Sequence, residues 1–174
     1  MKKLAIGMLS VAMVAGFAAV ALARAPRGTS SVSLKGKTIS VEYGQPSLNG
    51  RTTEALLGSL PAGELWRMGA DTSTTFKTAV DLAFGDVTIP AGEYSIWMQR
   101  QADNSWKLLF DKKHGQWGSP SPAASEAFAS VPLTSKTAAK PVETLTLTLR
   151  KAGGGASFTV EWGTLEASTS FKAK

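Results

Sequence analysis

From Val32 onward, apolar and polar residues alternate with a period of two over most of the chain. That is the spacing of strands with one buried face. Val32 and Leu34 alternate with Ser31, Ser33 and Lys35, Gly36 interrupts, and Ile39, Val41 and Tyr43 resume the pattern. The pattern predicts a β-hairpin with one apolar face. Residues 44–51 read as a loop, with Pro46 and Asn49-Gly50 as turn formers. Residues 53–60 predict the one helix, capped by Thr52 or Thr53 and ended by Gly58 and Pro61. Further strands are expected at 74–78, 80–84, 87–89, 94–100 and 105–110. A long polar loop follows over 112–125, then a weaker strand at 126–134 and clear ones at 144–150, 157–162 and 165–171. Pro61-Ala62-Gly63-Glu64 is echoed by Pro90-Ala91-Gly92-Glu93, which reads as one tight-turn solution used twice.

Eight to ten short strands and almost no helix predict an all-β fold. Between a barrel and a sandwich, the short alternating runs favour an antiparallel β-sandwich, jelly-roll or immunoglobulin-like in general shape.

The N-terminus follows different rules. Lys2 and Lys3 precede an uncharged apolar or small stretch over 4–22, and Ala21-Leu22-Ala23 supplies a small-x-small cleavage pattern. This is the layout of a signal peptide over residues 1–23. A cut after Ala25 would also fit the pattern but would place Pro26 directly after it. The competing reading is an uncleaved anchor, since the stretch approaches the ~20 residues that cross a bilayer. Only in that case is a membrane a partner. Cleavage leaves a single domain over 24–174, with its core at about 27–171, in the periplasm or the medium.

The 174 residues are 43% apolar and 18% charged, a globular composition. The formal net charge of +6 includes the two leader lysines, and what remains is modest. No basic cluster with interleaved aromatics occurs, so nucleic acid is not an expected partner. The absence of Cys excludes disulfides, thiolate metal sites, thiol nucleophiles and a lipoprotein anchor.

Glu64-Leu65-Trp66-Arg67-Met68-Gly69-Ala70, continuing through Thr74-Thr75-Phe76, resembles the signature of the DUF2911 family. Gly44-Gln45-Pro46-Ser47 and Gly50-Arg51 resemble its first loop, and Pro90-Ala91-Gly92-Glu93-Tyr94-Ser95 its central turn. Gln116-Trp117-Gly118, Val142-Glu143-Thr144 and Glu161-Trp162-Gly163 resemble its second half. The resemblance implies an exported bacterial protein and supplies no catalytic residue to carry over. The run Ser119-Pro120-Ser121-Pro122 departs from the aromatic that often follows Trp-Gly in relatives.

No chemistry is complete in the sequence. One histidine, His114, cannot furnish a zinc set without Cys, and no Asp-x-Asp calcium loop occurs, so neither metal nor cofactor is expected. A serine nucleophile lacks its Gly-x-Ser-x-Gly elbow. Glu64 and Asp71 flank Trp66-Arg67 and are the candidates for a carboxylate pair in glycan hydrolysis, although nothing sets them face to face. Arg67 either bridges loops through backbone carbonyls or faces a cleft and grips a carboxylate or phosphate, with Arg51 able to join it. Trp117, in a Gly-containing loop with His114 and Gln116, is the tryptophan most expected at the surface.

The leading expectation is therefore a non-catalytic ligand-binding or envelope-interaction domain. Its surface would comprise Arg51, Trp66, Arg67, Asp71, His114 and Trp117. The alternatives are a hydrolase of a glycan or other envelope polymer acting through Glu64 or Asp71, and a structural or protein-binding module with no small ligand.

Overall fold

The computed structural model describes residues 24–174. The expected leader lies outside the described residues. Ten strands form one antiparallel system: β1 (Arg27–Leu34), β2 (Lys37–Gly44), β3 (Leu65–Trp66), β4 (Thr75–Thr78), β5 (Leu82–Phe84), β6 (Val87–Ile89), β7 (Gly92–Arg100), β8 (Trp106–Asp111), β9 (Ala129–Ala152) and β10 (Gly155–Ala173). Their order is β1-β2-β4-β7-β8-β9-β10-β5-β6, with β3 beside β4 on the same edge of β7. The ends of this order, β1 and β6, do not pair, so the sheet is not a closed barrel. It folds over on itself instead. Phe76 on β4 meets Phe158 and Phe171 on β10 edge to face, at 6.4 and 6.3 Å between ring centroids. The hydroxyl of Ser30 on β1 accepts the amide of Leu149 on β9.

The first hairpin forms as its pattern predicts, with Lys35 and Gly36 both at positive φ in a two-residue turn. Helix α1 (Thr53–Leu57) starts where Thr52 accepts the amide of Ala55. It is shorter than the pattern suggests and stops before Gly58.

The largest departures are β9 and β10. The expected strand at 126–134 continues as β9 through Pro132 and Pro141. Residues 135–141 are small or polar and mostly exposed, so no alternation marks them. Likewise the two expected strands at 157–162 and 165–171 are one strand, β10, kinked at Gly163, whose φ is +55°. The register jumps there from Gly163↔Val142 to Leu165↔Thr137. Residues 138–141 are thus a bulge opposite Thr164.

The two Pro-Ala-Gly-Glu copies are not one turn used twice. Gly63 sits at φ +91° in a turn closed from Glu64 N–H to Pro61 O, whereas Gly92 opens β7 and pairs with Thr78. Glu93 accordingly binds Lys77 across the strand pair, and Glu64 has no such partner among the described residues.

Between the layers, Phe76, Phe84, Phe110, Phe158 and Phe171 form a connected aromatic core with Ile96, Met98, Leu108 and Leu147. Among the described residues no helix is long and apolar enough to cross a membrane.

Candidate functional site

The segment following β3 holds two non-glycine residues in the left-handed region, Met68 (φ +46°) and Asp71 (φ +60°). Such residues persist only where their surroundings over-determine them. The Thr74 hydroxyl bonds the carbonyls of both Arg67 and Met68, at 3.1 and 2.7 Å. A Cβ on Gly44 would lie 2.3 Å from Ala70 O, so only glycine lets β2 approach this segment. From the other side, Gly118 N–H donates to Asp71 O and Ser73 N–H to Gln116 O. The N-terminal residues close the ring: Ala25 N–H donates to Asp71 Oδ2 at 3.0 Å, and Arg27 donates to Thr72 O.

The loop after β8 lies across the outer face of β7. Its anchor is Ser95, fully buried. The Ser95 hydroxyl donates to Lys113 O at 2.7 Å and accepts from Trp97 Nε1 (3.1 Å) and Gln116 Nε2 (3.3 Å). One donor and two acceptors are then all in use. Asp111 Oδ1 takes the Lys113 amide at 2.9 Å. Beneath the loop Trp97 and Leu109 are buried, yet they stand apart from the inner core cluster.

Where this loop meets the Arg67 segment there is a cleft of about 240 Å³. Trp66, Trp97 and Leu60 supply apolar walls, and Arg67, Ser119 and Ser121 supply polar groups. Gly118 also lines it, and a Cβ there would lie 2.8 Å from Arg67 Cδ and 3.0 Å from Asp71 O. Its lack of a side chain is what lets the arginine lie along the loop. Trp66 is held from behind by stacking on Trp162 (5.6 Å, 11°) and by the edge of Trp106 (6.4 Å). Arg67 Nε donates to Gly69 O at 3.1 Å. Its two terminal amino groups have no partner among the described residues, and the side chain forms no ion pair there.

Of the six residues expected at a ligand surface, Trp66 and Arg67 line this cleft, and Asp71 and Trp117 flank Gly118 at its edge. Trp117 is 52% exposed. Arg51 and His114 lie elsewhere. Arg51 clasps its own loop through Leu48 O and Ser47 O. His114 Nδ1 stands 3.5 Å from Glu93 Oε2, and the other oxygen of that carboxylate is 2.9 Å from Lys77 Nζ. The hydrogen bond from Lys77, aided by the charges of Lys77 and His114, holds the Glu93 carboxyl below the ordinary carboxylate value. Trp97, Ser119 and Ser121 were missed as cleft residues. Ser119 and Ser121 sit in the Ser-Pro-Ser-Pro run whose departure from the family pattern was their only signal.

A larger cleft of about 480 Å³ opens between α1, β9 and β10, beside the bulge. Its charges are already paired. Arg100 is bound by the carbonyls of Leu57, Gly58 and Leu60 and by Asn104. Lys136 pairs with Glu166 at 3.1 Å, and Glu54 accepts from Thr164. The smaller cleft thus holds a guanidinium whose terminal amino groups are unpartnered among the described residues, whereas the charged groups lining the larger one are hydrogen-bonded or ion-paired. Among the described residues no three His, Asp or Glu side chains gather as a metal set.

The family model described as protein of unknown function (DUF2911) matches residues 25–171. No curated protein and no solved structure matches the chain.

Proposed function

The chain belongs to the DUF2911 family, and from that premise we propose that it is an exported, non-catalytic binding domain that takes a small carboxylate or phosphate on Arg67. The observation that carries this reading is the guanidinium itself. Its Nε is tied to Gly69 O, which fixes the plane of the group, while both terminal amino groups are free beside the cleft. An oriented fork of this kind matches the two oxygens of a carboxylate or phosphate. The Ser119 and Ser121 hydroxyls add donors, and Trp66 offers flat apolar surface to the body of the ligand. Asp71 is not a competing partner for Arg67: one carboxylate oxygen holds the Ala25 amide and no ion pair joins the two side chains.

Export is supported by the leader-like pattern of residues 1–23. Ala25 N–H and Pro26 O already make tertiary hydrogen bonds, to Asp71 and from Gln45. Residues just after the expected cut at Ala23 therefore belong to the domain that cleavage would release. Mass determination of protein recovered from the envelope or medium of a bacterial host tests this. A chain beginning at Arg24 is expected, and one retaining Met1 contradicts export by cleavage.

Binding is tested by thermal melts against a panel of small carboxylates and phosphates. A ligand at 100 times its Kd adds roughly 2.7 kcal/mol to the native state. Arg67→Lys keeps the charge but loses the planar fork, so it should bind more weakly than the parent protein.

A further inference from the structure

The cleft between α1, β9 and β10 holds about 480 Å³ and plays no part in binding at Arg67. Small-molecule sites span roughly 300–1,000 Å³. The irregular part of β10 builds one wall. At Gly163 the strand kinks, and a Cβ there would stand 2.6 Å from Thr53 Oγ1, so glycine is what lets α1 lie against β10. Thr164 N–H then donates to Thr53 Oγ1 at 3.3 Å. Bulges recur beside functional sites because they re-aim side chains.

Two side chains of the cleft are fixed at one atom and open at another. Thr164 has a single hydroxyl proton, and it goes to Glu54 Oε1. The proton between Thr53 Oγ1 and Thr164 Oγ1, 3.2 Å apart, therefore comes from Thr53. This relay orients the exposed Glu54 carboxylate, whose Oε2 has no hydrogen bond among the described residues. Arg100, held by the carbonyls of Leu57, Gly58 and Leu60, donates to Asn104 Oδ1 at 2.6 Å. An arginine can only donate, so the amide oxygen must face it and Nδ2 is left open, again with no partner among the described residues. The Ser135 and Thr137 hydroxyls have none there either, and Leu57, Trp106 and Leu165 supply apolar lining.

The open groups are thus one acceptor that cannot donate, one donor that cannot accept, and two hydroxyls that do both. Vicinal hydroxyls on a ring answer all of them, since each gives and accepts at one place, while the C–H faces of the ring suit the apolar lining. A carboxylate or phosphate would meet the bare oxygen of Glu54, and an apolar molecule would strand the polar groups. The charges balance, Glu54 against Arg100 and Lys136 against Glu166, so no net charge draws an ion. We infer that this cleft is a second binding site, separate from the Arg67 cleft, for a short neutral saccharide. Glu54, Arg100 and Asn104 are already ordered by their own hydrogen bonds, so little side-chain freedom is lost on binding. The site stands independently of ligand binding at Arg67.

Two-dimensional NMR of the purified protein, titrated with neutral trisaccharides of glucose, of mannose and of N-acetylglucosamine, tests it. At least one should give saturable shifts that gather on the Asn104 side-chain amide, the Trp106 indole and the backbone amides of Thr137 and Leu165. Added salt should leave the affinity unchanged, because the ligand carries no charge. Glu54→Gln keeps an oxygen for Thr164 but turns the open acceptor into a donor, and should weaken binding about tenfold, the share of a hydrogen bond to a charged group. Asn104→Gly keeps the left-handed turn (φ +64° at Asn104) and removes the amide, and should weaken binding about fivefold. The two substitutions lie on different elements, so a folding defect in one, seen as shifts throughout its spectrum, leaves the other to decide. No saturable shift with any of the three sugars, shifts that gather on Trp117 and Gly118 instead, binding that salt abolishes, or parent affinity in either folded variant would each overturn the inference.

Discussion

On one face of β7, Tyr94, Ile96 and Met98 pack among phenylalanines; on the other, Ser95 and Trp97 lie beneath a loop. Both faces are buried, but they are sealed differently. The inner face is closed by area. Phe76 alone contacts three other rings, and each contact is weak, non-directional and partly replaceable. The outer face is closed by geometry. A single hydroxyl serves three partners there, and two glycines, Gly44 and Gly118, stand where a Cβ would strike backbone or arginine. Packing by area gives a stable scaffold. Packing by directional bonds fixes the positions of individual polar groups, which is what a binding site requires.

The comparison leads to a ranking. Phe76→Ala removes the ring at the centre of the inner face and is expected to cost about 3–5 kcal/mol, read as a lower midpoint of urea unfolding. Ser95→Ala removes only one oxygen, yet it strips Trp97 Nε1, Gln116 Nε2 and Lys113 O of a partner. A loss of about 1–3 kcal/mol is expected, with an altered tryptophan spectrum. If Ser95→Ala melts like the parent, the outer face is not held as described here.

The smallest effect belongs to the exposed rim of that face. The Glu93 carboxyl is lowered by its hydrogen bond to Lys77. A carboxyl whose folded value is depressed contributes stability above its unfolded value, and this is lost as pH falls through the folded value. Glu93→Gln should therefore lower the melting temperature slightly at neutral and alkaline pH and leave acid melting unchanged, narrowing the gap between neutral and acid. Because the pair is exposed, added salt should mask the difference.

Much of the inner face was legible in the sequence, because a buried face facing a solvated one writes itself as period two. Leu145, Leu147 and Leu149 against Thr146 and Thr148 are the clearest case, and all three leucines are buried. The outer face was harder to read. Ser95 and Trp97 carry the polar phase of β7, and nothing local says that a loop fifteen or more residues later will cover them. The long reach of β9 was hidden for a related reason: its middle is polar, includes Pro141 and bulges opposite Thr164, so the periodic signal lapses where the strand does not. At the candidate site, Trp66 and Arg67 announced themselves by being neighbours in a segment that breaks alternation. Arg51 and His114 suggested the same chemistry by residue type, but their own local partners hold them elsewhere. Asp71 and Gly118 matter through backbone and capping bonds, which residue type alone does not reveal.

The central claim is that Arg67 presents a free, oriented guanidinium to a ligand. The most direct measurement is isothermal titration of the purified protein with the carboxylate or phosphate that most raises its melting temperature, beside Arg67→Ala. Because the Arg67 side chain makes only one hydrogen bond among the described residues, to Gly69 O, the variant should melt close to the parent. The expected result is saturable binding by the parent and a loss of roughly tenfold or more in affinity in the variant, the share of a charge-assisted bidentate contact. Equal affinity in the two proteins, or no binding by the parent across the panel, would contradict it.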